Sequence, residues 1–320
     1  MDSNRPIALV AMGGHAFIQK GEQGTIEDHE RNAKRIATVL MTLVERDYRI
    51  VITHGNGPQV GHLLLQNEQA KADTPGMPLD VLVSMTEGSL GYILQQALLN
   101  ELRAREIRRY VVTVVTQVVV DPDDPAFDHP TKPIGPFLSR EEAERRRDDL
   151  GWCVREDAAG RGWRRLVASP RPRRVIQADM IREASQMGHI VIAAGGGGIP
   201  IKVTGDGGPY EGVEAVIDKD LTSAALAASV GAELLIILTA VPQVYVRFGQ
   251  PDQEPLGAVT LAEIERIQRE NPFPPGSMGP KIDAVIEFLK AGGRRALITD
   301  PDTLPSALEG GGGTHFVGKI

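Results

Sequence analysis

Short apolar segments with strand character alternate with segments of helical period along most of this 320-residue chain. A short run rich in β-branched residues indicates a buried strand, and apolar residues at every third or fourth position indicate an amphipathic helix. We predict strands at 7–12, 49–53, 110–120, 190–194, 234–238, 295–298 and 315–317. Strands separated by helices in this way predict an α/β fold with a mainly parallel sheet covered on both faces.

The segments between these strands predict helices at 30–46, 58–72, 84–105, 174–187, 221–230, 261–269 and 281–290. One segment, 121–169, breaks the alternation. It contains a proline-rich stretch, a short charged helix at 139–149 and two β-leaning runs at 152–155 and 163–168 that are typical of a hairpin. We interpret 121–169 as a small protruding subdomain inserted into a single domain that spans 1–320.

Composition excludes several classes of protein. A formal net charge of −7 and a pI near 5.6 argue against a nucleic-acid partner, which requires a basic face. Cys153 is the only cysteine, so no intrachain disulfide or thiolate metal cluster can form. The first residues lack the pattern of a signal peptide, and no apolar run is as long as a membrane span. We expect a cytoplasmic enzyme that binds no membrane.

Three glycine clusters follow predicted strands: Gly13-Gly14, Gly55-Asn56-Gly57 and Gly195–Gly198. Ligands of a parallel sheet bind where the carboxyl ends of its strands open into loops. Glycine lets backbone N–H groups approach an anion without interference from a Cβ, and the helix predicted to open at Pro58 adds its positive dipole end. The three clusters therefore predict a phosphate or carboxylate site at one edge of the sheet.

Lysine is used sparingly, at nine of the 35 basic positions. Lys132 lies between prolines, Lys219 lies between two aspartates, and Lys281 follows Gly279-Pro280. Phosphoryl transfer depends on positioned positive charge, which lysines from separate loops can supply. Asp220 could hold two such lysines in place, whereas either Asp218 or Asp220 could instead cap the helix that follows.

Two functions other than phosphoryl transfer remain as alternatives. Gly55-x-Gly57-x3-Gly61 resembles a variant dinucleotide fingerprint with Asp73 as its acid, which would indicate an NADP-dependent oxidoreductase. A non-catalytic ligand sensor is the second alternative, although a sensor needs no charge on a moving phosphoryl group. The P-loop pattern is absent from the sequence, and the histidine and aspartate spacings fit no metal motif, so we predict no protein-ligated metal.

Longer motifs resemble those of carbamate kinases, within the amino acid kinase family, from residue 7 to the C-terminus. The resemblance implies a three-layer αβα sandwich with a small protruding subdomain, a homodimer, and transfer of the γ-phosphoryl group between ATP and carbamate. ATP or ADP would be bound with Mg²⁺ bridging the phosphates, and a different small carboxylate remains an alternative acceptor. The segments that carry the resemblance are THGNGPQVG, PTKPIGP, VIAAGGGGIP, GVEAVIDKDLTSAAL, VYVRFGQPDQEPL and GSMGPKI.

The same resemblance implies roles for individual residues. Lys132 would reach the site from the inserted subdomain as a lid, while Lys219 and Lys281 would bind nucleotide phosphates and stabilise the transition state. Asp220 would orient the lysines. The residues that would hold the acceptor and the transferred phosphoryl group are Gly13, Gly14, His15, Gly55, Asn56 and Gly57. Those that would surround the nucleotide, besides Lys219 and Lys281, are Thr239, Val244, Tyr245 and Met278.

Three positions depart from the family pattern. His15 stands where the family usually has asparagine, Glu87 stands where it has glutamine, and the usual aspartate after Thr239 is missing. An imidazole titrates near neutral pH, and a phosphoryl group favours its cationic form. We expect His15 to contact the phosphoryl group or to reshape the acceptor pocket, with Glu87 as its partner. The alternative is that His15 is a tolerated replacement and carbamate remains the acceptor.

Overall fold

The computed structural model describes residues 5–13, 16–19, 21–157, 160–205 and 207–318. Seventeen strands lie in these ranges. They are β1 (Ile7–Met12), β2 (Arg49–His54), β3 (Val111–Val114), β4 (Gln117–Val120), β5 (Lys132–Leu138), β6 (Cys153–Glu156), β7 (Trp163–Val167), β8 (Pro172–Val175), β9 (Ile190–Ala193), β10 (Ile199–Val203), β11 (Tyr210–Gly212), β12 (Leu234–Leu238), β13 (Tyr245–Val246), β14 (Glu254–Pro255), β15 (Ala258–Thr260), β16 (Arg295–Thr299) and β17 (Thr314–Val317).

The helices of the described ranges lie mostly between strands of the largest sheet. A single 3₁₀ turn follows β9 at Gly195–Gly197. The helices are α1 (Ile26–Glu45), α2 (Gly57–Gln69), α3 (Leu79–Ala104), α4 (Arg140–Leu150), α5 (Ala178–Gln186), α6 (Lys219–Val230), α7 (Leu261–Glu270), α8 (Gly279–Lys290) and α9 (Leu304–Ala307). None of them is long and apolar enough to cross a bilayer.

Eight strands form the central sheet in the order β15-β17-β16-β12-β1-β2-β9-β3. Every neighbouring pair is parallel except β16 and β17. Alternate residues of β1 face opposite layers: Val10 packs in the core cluster that contains α1 and α3 residues, and Leu9 packs in the cluster that contains α6 and α8 residues. The predicted mainly parallel sheet between two helical layers is therefore confirmed.

Several predicted boundaries were wrong for local reasons. The segment predicted as one strand at 110–120 is two strands, β3 in the central sheet and β4 in a four-stranded sheet of order β11-β10-β4-β8. The helix predicted at 174–187 begins only at Ala178, because the residues before it form β8 and pair with β4. The helix predicted at 30–46 begins at Ile26, because Thr25 and Asp28 form a capping box.

The segment between the neighbouring strands β4 and β8 contains a separate three-stranded sheet of order β5-β7-β6, together with α4. The β6–β7 hairpin was predicted, whereas β5, in the proline-rich stretch, was not. An edge strand accepts proline, and β5 is at the edge of this sheet. The interpretation of 121–169 as an inserted subdomain stays a prediction.

Helix α2 supports the inserted sheet at two places. A Cβ added to Gly61 would lie 1.9 Å from the Cα of Gly135, so the helix and β5 touch backbone to backbone. Farther along α2, Glu68 accepts hydrogen bonds from Arg146 (3.3 Å), Arg165 (3.3 Å) and the indole N–H of Trp152 (3.0 Å). The glycine contact sets how closely the insertion approaches the main body.

Replacing Gly61 by Ala should destabilise the protein by about 1–3 kcal/mol, because the new methyl group overlaps backbone that cannot rotate away. Urea denaturation measures the difference. Gly76→Ala is the matched control, since its Cβ position is open and its φ lies outside the left-handed region. It should change stability little or raise it slightly. Equal effects from the two substitutions would contradict a tight contact at Gly61.

Candidate active site

The strand register brings three loops to one edge of the sheet. Met12, the last residue of β1, pairs with Leu238 of β12 on one side and with His54 of β2 on the other. The next residues in the three loops, Gly13, Thr239 and Gly55, therefore leave the sheet side by side. Strand β9 is paired with β2, so the 195–198 glycine segment emerges at the same edge. The predicted acceptor residues Gly13 and Gly55 and the predicted nucleotide residue Thr239 therefore share this edge.

Asp220 joins two of the three singled-out lysines. One carboxylate oxygen contacts Lys219 Nζ, and the other accepts a hydrogen bond from Lys281 Nζ at 3.0 Å. Asp220 is 3% exposed, so this contact is shielded from water. Lys281 Nζ also donates to the backbone carbonyl of Ser277 (3.2 Å). The structure thus brings together residues from α6 and α8 that are far apart in the sequence.

The third lysine is held by a residue that the sequence analysis did not assign to the site. Lys132 Nζ lies 2.9 Å from Asp218 Oδ2. The other carboxylate oxygen, Oδ1, caps α6 by accepting from the backbone N–H groups of Asp220 and Leu221. Asp218 is therefore both the helix cap and the partner of Lys132. These five residues are called the lysine cluster: Lys132, Asp218, Lys219, Asp220 and Lys281.

Charge and burial oppose each other in the lysine cluster. Burial alone would raise the pKa of Asp218, but the ammonium groups of Lys132, Lys219 and Lys281 outweigh it and hold that pKa well below its usual range. Burial lowers the pKa of Lys219, with Asp220 opposing the shift and Lys281 adding to it. Three ammonium groups face two carboxylates, so an incoming phosphate would gain favourable charge interactions and would raise the pKa of Lys219.

The glycine segments differ in what they can offer an anion. The Cβ position of Gly57 is open, and Gly57 begins α2, whose first backbone N–H groups have no partner within the helix. The N–H of Gly55, in contrast, already donates a hydrogen bond to Met12 O (2.9 Å). Asn56 is buried, and its side-chain amide donates to Thr86 Oγ1 (2.8 Å). Of the 55–57 segment, Gly57 is the residue best placed to present its backbone.

Glycine is required at 195–198 for packing as well. A Cβ on Gly195 would lie 2.6 Å from His54 Cε1, and one on Gly196 would lie 2.2 Å from Asn56 Nδ2. The sequence analysis attributed these glycines to anion approach, which stays a prediction, and did not predict their packing role. Gly61 likewise serves the contact with Gly135, and Asp73 follows a helix instead of a strand. The dinucleotide reading of Gly55-x-Gly57-x3-Gly61 is therefore not supported.

Two of the predicted nucleotide residues, Thr239 and Val244, lie near the carboxyl ends of β12 and β16. Thr239 N–H donates to Thr299 O (2.9 Å), and the N–H of the buried Val244 donates to Thr314 Oγ1 (2.9 Å). Tyr245 lies on the short β13 with its ring 5.7 Å from that of Phe248. Met278 precedes α8, three residues before Lys281. The roles of these residues remain predictions.

Glu87, one of the departures from the family pattern, is buried beside the glycine loop. Its Oε2 accepts from the backbone N–H of Thr116 (2.9 Å), and Thr116 Oγ1 in turn accepts from the N–H of Ala194 (2.9 Å). Oε1 of Glu87 has no hydrogen-bond partner in the described ranges. Burial raises the pKa of Glu87 well above its usual range, and the Thr116 bond opposes this only in part. The carboxyl group is thus favoured in its neutral form.

His54 is a second buried titratable group beside the 195–198 glycine segment. Burial lowers its pKa to about 4, and the ammonium group of Lys219 adds to the effect. The imidazole is therefore neutral near pH 7.

His15 and Gly14 lie outside the described residues, so the predicted contact between His15 and Glu87 stays a prediction. In the ranges that the structure describes, no group of three or more His, Cys, Asp or Glu side chains could hold a metal ion.

Comparison with known proteins identifies the family. The family model described as the amino acid kinase family matches residues 6–300. The carbamate kinase of Thermococcus kodakarensis is 47% identical over 312 residues, covering 97% of this chain and 98% of the relative. The carbamate kinase-like protein YahI of Escherichia coli K12 is 47% identical over 319 residues, covering 98% and 99%. The chain belongs to the amino acid kinase family and, within it, to the carbamate kinases.

Solved structures agree with this assignment. Carbamate kinase from Giardia lamblia bound to citric acid superposes with a TM-score of 0.93 at 38% identity, covering 99% of this chain and all of that one. The same enzyme bound to AMP-PNP gives a TM-score of 0.90 at 39% identity, also covering 99% of this chain. The predicted three-layer sandwich with a protruding subdomain is thereby confirmed as the fold.

Replacing Glu87 by Gln should make stability less dependent on pH. The folded pKa of Glu87 is raised above its unfolded value near 4.5, so its contribution is complete below that value and is lost as the pH rises toward the folded pKa. Glutamine keeps the Thr116 hydrogen bond but has no proton to lose. The variant should therefore gain stability over wild type by about 1 kcal/mol or more between pH 5 and pH 8.

Urea denaturation at the two pH values measures this difference. Glu30→Gln, at an exposed position of α1, controls for the loss of one carboxylate and should leave the stability difference between pH 5 and pH 8 nearly unchanged. A Glu87→Gln protein whose stability follows wild type at both pH values would show that Glu87 is already ionised without cost.

Proposed function

We propose that the protein catalyses transfer of the γ-phosphoryl group between ATP and carbamate, ATP + carbamate ⇌ ADP + carbamoyl phosphate. The lysine cluster carries this proposal, because it concentrates three ammonium groups beside the glycine loops at the carboxyl edge of the sheet. In the forward direction a carbamate oxygen forms a bond to the γ-phosphorus while the bond to the bridging β-phosphate oxygen breaks. The chain is a phosphotransferase by family, and identity to carbamate kinases supports the acceptor.

The residues supply position and charge for this reaction. Lys219 and Lys281, held by Asp220, would bind the nucleotide phosphates, and Gly57 at the start of α2 would present backbone N–H groups to the transferred group. Mg²⁺, bound with the nucleotide, would neutralise part of the phosphate charge. The two carboxylates of the lysine cluster, Asp218 and Asp220, are paired with lysines, so we assign the metal to the nucleotide.

Lys132 has a different role in the proposed mechanism. It is the first residue of β5, in the inserted segment, and Asp218 holds it at the site from the opposite side. We propose that Lys132 leaves Asp218 to contact the phosphoryl group as negative charge redistributes during transfer. Asp218 is then the resting position of the lid lysine.

The main alternative to this proposal concerns which small acid accepts the phosphoryl group. His15 and Glu87 replace the usual amides, and one of the 47% identical relatives is named carbamate kinase-like. An amino acid kinase fold enzyme acting on another small carboxylate is the second candidate. The deciding assay supplies ADP and carbamoyl phosphate and measures ATP formation, then measures ADP formation from ATP with carbamate and with a panel of small carboxylates. ATP formation from carbamoyl phosphate supports the proposal, and its absence together with activity on a carboxylate would replace it.

Replacing Lys132 by Ala should lower kcat by about 10²–10³, because one positioned charge-stabilising donor is lost in the transition state. Affinity for ADP, measured by calorimetry, should change little, since Lys219 and Lys281 remain. Lys71→Ala is the control, as Lys71 is an exposed lysine beyond the end of α2, and it should retain wild-type turnover. A fully active Lys132→Ala enzyme would rule out the lid role.

We also propose that two copies of the chain pair through α3. Met85, Tyr92 and Leu99 recur every seven residues along this helix and are all exposed, Tyr92 by 64%. Residues at this spacing lie on one face of a helix. Tyr110 and Val115, which flank the edge strand β3, are exposed as well. Exposed apolar side chains repeated along a helix and beside an edge strand favour an interface, and a second copy agrees with the homodimer that the family resemblance implies.

Replacing Tyr92 by Glu should shift the protein from dimer to monomer, because it places a charge in the centre of that face. Light scattering coupled to size-exclusion chromatography gives the mass directly. Met180→Glu, at an exposed methionine of α5 in the other helical layer, should remain dimeric. A wild-type monomer, or a dimer that tolerates Tyr92→Glu, would reject the α3 interface.

A further inference from the structure

A cavity of about 220 Å³ opens at the edge of the sheet opposite the lysine cluster. Four of its seven lining residues are arginines, and none of the seven is acidic. We call it the arginine cavity. Its lining residues are Arg5, Arg49, Arg108, Arg109, Gln186, Met187 and Gly188.

The arginine cavity is separated from the candidate active site by the length of the strands. Its residues precede or begin four neighbouring strands, β1, β2, β9 and β3, whereas the glycine loops follow the other ends of the first three of those strands. Arg49 is the first residue of β2 and His54 the last, so the two ends lie about 17 Å apart at the usual rise per residue. A ligand in the arginine cavity cannot touch the lysine cluster.

Two arginines of this cavity share one carboxylate. Asp47 contacts both Arg5 (3.2 Å) and Arg109 (3.6 Å), and its own side chain is 63% exposed. Arg109 is largely buried and donates to the carbonyl of Tyr48 (3.0 Å), so it cannot swing away into solvent. Burial and the neighbouring Arg5 both lower the pKa of Arg109, while Asp47 opposes them. A group of like charges held in place in this way favours an added anion.

We propose that the arginine cavity is a binding site for a small multivalent oxyanion, a compound with two or more phosphate or carboxylate groups. The planar guanidinium group presents paired N–H donors that match both of these groups, and several such groups around one cavity select for more than one negative charge. The chain as a whole carries a net charge of −7, so general attraction of anions does not explain binding at this point. The site is independent of the proposed reaction.

Isothermal titration calorimetry with pyrophosphate and, separately, with citrate tests the proposal in metal-free buffer. Arg108 is exposed and lies outside the predicted machinery, so Arg108→Gln should leave basal turnover unchanged while it weakens anion binding at least about 10-fold. Arg145→Gln removes the same charge from the exposed side of α4 and should bind as wild type. Affinity should also fall as salt is added.

Lys281→Ala separates this site from the active site, because it weakens phosphate binding at the lysine cluster only. A binding event that survives Lys281→Ala and is weakened by Arg108→Gln supports the arginine cavity, and the stronger of the two anions identifies the ligand as phosphate or carboxylate. Binding that disappears in Lys281→Ala and is unaffected by Arg108→Gln would overturn the proposal, as would the absence of saturable binding by both anions. None of these outcomes depends on whether carbamate is the acceptor.

Discussion

The shared carboxylate of Asp220 is the contact on which the candidate active site depends. A lysine that is buried alone loses its hydration and tends to lose its proton. Lys219 is 7% exposed, and it is accompanied by a carboxylate that also reaches Lys281 on another helix. One carboxylate thus fixes the distance between two ammonium groups and links α6 to α8. The glycine loops and the inserted segment are arranged around this fixed pair.

The architecture could be predicted from the sequence because the same strand and helix patterns recur along the chain. Apolar strands that alternate with amphipathic helices leave few arrangements besides a covered parallel sheet, and the ends of such strands predict where loops converge. Motif resemblance then identified Lys132, Lys219, Asp220 and Lys281, and the structure brings them together. The boundary error at 110–120 arose because the chain passes from one sheet to another while it keeps the same apolar pattern. The error at 174–187 arose because β8 is formed by pairing with the distant β4.

Other features depend on contacts between distant segments, which no local pattern reveals. Asp218 looked like one of two possible helix caps, and its contact with Lys132 joins residues 86 positions apart. The raised pKa of Glu87 follows from burial, which the residues around it in the sequence do not reveal. The glycines at 195–198 were predicted to contact a ligand. Their packing against His54 and Asn56, which leaves no room for a Cβ, could not be predicted from the sequence.

The two carboxylate oxygens of Asp218 make separate contacts, and this separation affects how the site could move. Oδ1 secures the first turn of α6, and Oδ2 alone holds the ammonium group of Lys132. In the lid motion proposed for Lys132, the contact at Oδ2 would break while the contacts at Oδ1 stay closed, so the first turn of the helix that carries Lys219 and Asp220 would keep its cap. The segment that moves in this proposal and the helix that stays in place would thus be joined through the side chain of Asp218.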